Sequence, residues 1–298
     1  MLELLPIELV GEVMRTASEI FLERDRATVL NIAKSCILGY NSATPVLYRT
    51  VVLSDGHDLL VHIFVDEDTS TTGILAAAPA RRLLPLVKRL FLDHRGNLNK
   101  AQFRHLVNLE AIFTISVDVT FLDDSLWQIL PSTVTQFYAL SLPYPESLPL
   151  STTHLSCYFF FGSVADFQQW VSSTVPDSIT HVALELNDAL TEDSRDDHES
   201  GILKLLLFLL ARNTHAPVVL RPYKMATDLV SQRVILRAIS AISYEDRSRV
   251  WMWRDMRLIT NFAGDVAASR ADSIAGRSPW TEGMPATEEE LKEGRYMI

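Results

Sequence analysis

Ile179-Thr180-His181-Val182-Ala183-Leu184-Glu185-Leu186-Asn187 is the stretch on which the fold turns. Val182 and Leu184 sit two apart, the period of a strand with one face buried, and Ile179 leads them by three. Shorter β-rich runs precede it at 87–92, 109–113, 134–139 and 154–158. Taking Leu90, Ile112, Phe137, Leu155 and Val182 as equivalent positions gives steps of about 18 to 27 residues. Short helical patterns fall between the runs, at 123–130 and at 164–171, where Ser163 is a candidate N-cap. One strand and one helix cannot bury both of their faces alone. Stacking such pairs closes a continuous core, with the strands side by side along a concave wall.

The steps lie near the 20–29 residues of leucine-rich repeats, and Ile179-x-x-Val182-x-Leu184-x-x-Asn187 fits that template. The other runs keep two of its apolar positions. The expected fold class is therefore mixed α/β, with an irregular leucine-rich-repeat-like solenoid over residues 87–262. Its later members are a strand at 217–220, a helix near 227–243 and a strand at 249–253. Trp251 and Trp253, two apart in that strand, face one side and are expected to pack in the core against the preceding helix. The most apolar run, 202–211, is far short of the roughly 20 residues a bilayer demands and reads as a buried helix. Acidic residues crowd 187–200, and aliphatic residues thin out near the C-terminus. Disorder is expected in the first and in a tail over 263–298.

The 298 residues carry a net charge of −10 and 48% apolar side chains. That charge disfavours nucleic acid and anionic membranes, both of which call for clustered Lys and Arg. Ala80-Arg81-Arg82 with Lys88-Arg89 is the one basic cluster, read as a solvated edge. Cys36 and Cys157 stand alone, without the spacing of a disulfide framework or a zinc site. With no signal-peptide pattern, a cytoplasmic or nuclear location is expected.

Catalytic signatures are missing: no GxSxG, no GxGxxG, no GxxxxGK[ST] and no HExxH. The acidic run lacks the alternating ligands and central glycine of a calcium loop. His154 and His181 occupy similar places in their strands and could be neighbours, read as ordinary repeat histidines. The expectation is a non-enzyme with no cofactor and no metal.

Residues 1 to about 50 read as short helices, in a helical module bounded at residue 53. Pro6 sits near the first turn of one, where its missing N–H costs nothing. Leu9, Val10, Val13 and Met14 form its apolar stripe. A second helix is predicted from Asp25 to Cys36 with Val29, Leu30, Ile32 and Ala33 apolar, and a third capped by Asn41 and Ser42 and containing Pro45, Leu47 and Tyr48. The strand Thr50-Val51-Val52-Leu53 follows, then a turn at Asp55-Gly56 and a connector over 54–86.

Leu5-Pro6-Ile7-Glu8-Leu9-Val10 and, about forty residues on, Ala43-Thr44-Pro45-Val46-Leu47-Tyr48-Arg49-Thr50-Val51 resemble the two ends of an F-box in its degenerate fungal form. Tyr40 is the aromatic nearest to where that family often has a tryptophan. The resemblance implies a three-helix module that docks onto the Skp adaptor of cullin–RING ubiquitin ligases, with the remainder recruiting an unidentified protein target. It implies adaptor contacts from Leu5, Pro6, Ile7, Leu9, Val10, Val13, Leu30, Tyr40, Pro45 and Leu47. The alternative is a protein-interaction scaffold in which these helices only cap the repeats.

Overall fold

The structure, a computed structural model, describes residues 6–22, 25–54, 82–94, 100–117, 122–139, 145–159, 164–186, 195–212, 217–221, 229–253, 271–272, 275 and 277–296. It is a mixed α/β fold: an N-terminal helical region followed by a sheet of mostly parallel strands.

Three helices open the chain: α1 (Ile7–Leu22), α2 (Arg26–Ser35) and α3 (Ile37–Tyr48). The Asp25 carboxylate caps α2 by accepting from the N–H groups of Ala27 and Thr28. Cys36 ends α2 and starts α3, its sulfur accepting from the Gly39 N–H at 3.3 Å. The third helix thus begins before the expected caps Asn41 and Ser42 and carries Pro45 inside it. Pro45 leaves the Asn41 carbonyl without its helical donor, but Asn41 is exposed and water can supply one. Val29, Ala43 and Leu47 form the core among these helices.

Gly39 lets α3 approach α2 closely, since a Cβ there would run into the Ile32 carbonyl oxygen. Gly39→Ala is therefore expected to part the two helices. Amide hydrogen exchange should speed up at Val29 and Ile32 while strand amides keep their protection. Unchanged exchange in α2 would refute the close packing.

Nine strands form one sheet in chain order: β1 (Thr50–Ser54), β2 (Arg89–His94), β3 (Ala111–Val117), β4 (Gln136–Ala139), β5 (His154–Phe159), β6 (His181–Leu186), β7 (Val218–Arg221), β8 (Val250–Met252) and β9 (Met284–Pro285). The first eight are parallel, and β9 runs antiparallel to β8. Leu90 pairs with Ile112, Ile112 with Phe137, Phe137 with Leu155 and Leu155 with Val182. These are the positions aligned from the sequence. Strand entry repeats too: the N–H groups of Lys88 and Arg89 both donate to the Arg49 carbonyl, and those of Glu110 and Ala111 to Lys88. Thr135 and Gln136, Thr153 and His154, then Thr180 and His181 continue the pattern onto Glu110, Thr135 and Thr153.

One face of the sheet, the helical face, packs Leu90, Ile112, Phe137, Leu155, Leu184 and Leu220 against helices. These are α4 (Asp124–Trp127), α5 (Val164–Thr174), α6 (Arg195–Arg212) and α7 (Leu229–Ala241). The apolar run at 202–211 lies in α6, which packs between α5 and α7 and buries Ile202, Leu205, Leu206 and Leu209. Arg212 closes the end of α5 by donating to the Val171 and Val175 carbonyls. A further short helix, α8 (Tyr244–Arg247), leads into β8.

The structure corrects several expectations. Thr50–Leu53, counted within the N-terminal module, lie in the first strand of the sheet, where a strand is expected. The connector's residues 55–81 lie outside the described residues, as do Ser163 and Leu5; its described end, the 3-10 turn Leu84–Leu86, packs on α3. The acidic run is helical from Arg195 onward, and 187–194 lie outside the described residues. The described part of the C-terminal segment has structure where a disordered tail is expected. There α9 (Pro279–Glu282) lies over β6 and β7, β9 extends the sheet, and α10 (Glu288–Tyr296) packs on α7. Leu291 and the Trp280 ring anchor it, a few large contacts that a thin aliphatic composition conceals.

Candidate docking surface

The α1 stripe divides in two. Successive helical residues differ by 100°, so Leu9, Val10, Val13 and Met14 straddle the helix boundary rather than share a face. Val10, Met14 and Ser18 turn inward, and Ser18 is buried with its hydroxyl donating to the Met14 carbonyl. Leu9 is 51% exposed and Val13 54%, and Ile20 joins them on the outer side. Steps of four and seven residues put these three within 40° of one line along the helix. Ile7, Phe21, Leu30, Ile37 and Tyr40 are exposed as well, Ile37 at 83%. Among the described residues, eight of the thirteen exposed large apolar side chains fall between residues 7 and 40. Single exposed apolar residues need no explanation, and this concentration makes the helices a candidate docking surface.

Of the expected adaptor residues, Pro6, Ile7, Leu9, Val13, Leu30, Tyr40 and Pro45 are exposed, and Val10 is half-buried. Leu47 is a correction: at 5% exposure it belongs to the core of the three helices and cannot meet a partner. Its neighbour Tyr48 packs against both that core and the sheet core, joining the two. Ile20, Phe21 and Ile37 were not singled out from the sequence. The seven-residue step from Val13 to Ile20 was the signal for the first of them.

The other face of the sheet, where the strands are expected to line a concave wall, is largely covered. Phe91, Phe113, Tyr138, Tyr158, Ala183 and Val219 lie there, and all are buried. Phe91, Phe113 and Tyr138 stack in sequence with ring centroids 4.0 Å apart. Trp280 meets Tyr138 edge-on at 5.6 Å and His154 at 4.8 Å. Trp251 and Trp253 also face this side, packing with Ala183, Val219 and Trp280 rather than on the preceding helix. Strand alternation explains the correction, since Val250 and Met252 between them already take the helical face.

A buried charge cluster ties the C-terminal segment to this face. Arg221 donates to Glu185 at 2.5 Å, and its guanidinium lies over Trp253 at 4.3 Å. Asp272 stands 4.0 Å from Arg221 and accepts from Arg277 at 2.9 Å. Toward the strand N-terminal ends the face opens: Thr50, Arg89, Gln136, His154 and His181 are half-exposed.

His154 and His181 stack at 4.2 Å, with Thr153 and Thr180 hydroxyls 2.8 Å from their Nδ1 atoms. Burial, then the His181 charge, pulls the His154 pKa down to about 4, and burial lowers that of His181. A histidine unfolded binds its proton near pH 6.5, before the folded one does. Stability is thus full above about pH 6.5 and falls as pH drops toward 4. Melting temperatures between pH 7 and 4.5 should fall less steeply in His154→Phe, which keeps the stack. An identical slope would clear the pair of this role.

Among the described residues, no group of His, Cys, Asp or Glu is placed to hold a metal ion. No described helix is long and apolar enough to cross a membrane. No protein-family model, curated protein or solved structure matches the chain.

Proposed function

We propose that this chain is a non-catalytic substrate-receptor subunit of a Skp–cullin–F-box ubiquitin ligase, working in the cytoplasm or nucleus. In this reading α1 to α3 dock the Skp adaptor, and the irregular leucine-rich-repeat-like region behind them selects a protein target. The observation that carries it is the outer stripe Leu9–Val13–Ile20, left open while the inner stripe of the same helix packs within the module. An amphipathic helix with apolar residues on both sides is suited to a partner's groove. Because most of the second face is closed, the target is read at its half-exposed polar end and on the surfaces around it.

A second reading is favoured by one contact. Helix α3 packs on β1 and on the Leu84–Leu86 turn, so the helices also cover the first strand. A scaffold whose helices merely cap the sheet would use that contact alone. Co-expression with the Skp adaptor, with and without residues 1–50, separates the two. Adaptor that co-purifies only with the intact chain supports the receptor; a folded, intact chain that captures none overturns it.

A further inference from the structure

We infer that Arg49 and Arg89 form an oxyanion site where the helical module meets the sheet, suited to a phosphate monoester dianion. Arg49 caps the C-terminal end of α3, and its carbonyl receives the Lys88 and Arg89 N–H groups, which holds the start of β2 against it. Arg89 lies on the second face, paired across the strands with Thr50 and Ala111. Lys88 is spoken for, its Nζ donating to Glu110 at 2.6 Å. Three cations and one carboxylate therefore meet at this corner of a chain whose net charge is −10.

The Glu110 carboxylate acts on Arg89 at longer range but forms its ion pair with Lys88. The Nε of Arg49 and the Nη1 of Arg89 are buried and have no hydrogen-bond partner. Among the described residues, no carboxylate forms an ion pair with either guanidinium. Buried donors without acceptors are costly, and two neighbouring like charges add to that cost. Burial and then the Arg49 charge lower the Arg89 pKa, which places the two guanidinium groups in each other's field. On the neighbouring strands Tyr138 donates to the Gln136 side-chain oxygen at 3.2 Å, and the Tyr138 and Glu110 charges oppose that of Arg49 in their effect on Arg89. Both arginines are half-buried, so part of each residue faces solvent while the two unpartnered nitrogens lie inside.

The charge selects the ligand class. A phosphate monoester carries close to two negative charges near neutral pH, with three acceptor oxygens, and matches two planar forks. A carboxylate brings one charge and two oxygens. This inference does not rest on the adaptor reading: the adaptor can fail to bind while the anion binds, and the reverse.

The full chain is titrated with inorganic phosphate at constant ionic strength, with sodium chloride as balance, and thermal unfolding is followed. A saturable rise in melting temperature is expected, with acetate weaker by about tenfold or more. Arg49→Gln and Arg89→Gln each should abolish the rise, and Arg104→Gln, an exposed control, should keep it. Should Arg89→Gln fail to fold, Arg89→Lys retains the charge without the fork and is expected to bind phosphate about tenfold more weakly. A rise no greater than chloride alone produces, or one that survives in the arginine variants, overturns the site. Calorimetry with phosphoserine against phosphate then tells a phosphorylated side chain from a free ion, either of which fits the site.

Discussion

Glu185→Ala lowers the free energy of unfolding by about 3–5 kcal/mol, the cost of removing one member of a buried ion pair. Glu185 is 4% exposed and Arg221 2%, so water cannot replace what the substitution removes. Asp272 stands farther off, 4.0 Å from Arg221, and is engaged by Arg277 at 2.9 Å. The double variant Glu185→Leu with Arg221→Met is expected to recover most of the loss, since apolar side chains of similar size carry no desolvation penalty. Urea unfolding measures both. A loss below about 1 kcal/mol in Glu185→Ala would show that the pair is hydrated and that the second face is not closed. The same cluster holds the C-terminal segment on the sheet, so protease sensitivity of that segment should rise in step with the destabilisation.

Leu9→Asp with Val13→Asp should abolish capture of the Skp adaptor while leaving the melting temperature nearly unchanged. Both side chains are more than half exposed, and surface changes of this kind stay within about 0.5 kcal/mol. At the centre of an interface, each would cost about 2 kcal/mol or more, roughly a thirtyfold loss in affinity apiece. The capping reading predicts the opposite: lower stability and no partner to lose. Leu47→Asp serves as a contrast, because it places a carboxylate in the core of the helices and should unfold the module itself. Adaptor bound equally well by wild type and the double variant would remove this surface from the proposal.

Much of the strand framework was legible because the residues that face the helices recur every second position along each strand. Leu90, Ile112, Phe137, Leu155 and Val182 could be aligned by their apolar character and near-regular spacing, and hydrogen bonding sets them side by side. Helix α2 was bounded correctly because Asp25 is a strong N-cap. The start of α3 was not, since Cys36 is an uncommon cap and Pro45 suggests a boundary that the helix overrides. The candidate surface was visible in Leu9 and Val13. The error at Leu47 arose because periodicity ranks residues around one helix and does not say which neighbour each meets.

What the sequence determined by itself is local: strand alternation, helix starts, the apolar stripes and the absence of catalytic motifs. Which stripe of α1 stays open was decided by α2 and α3, the two helices that it packs against. That the second face is closed was decided by residues far apart in the chain. Trp280 reaches His154 and Tyr138, and Asp272 reaches Arg221. No local pattern encodes such pairings, because a buried charge or ring is stabilised by whatever the fold sets opposite it. The meeting of Arg49 with Arg89 is of the same kind: forty residues separate them in sequence, and one backbone carbonyl brings them together.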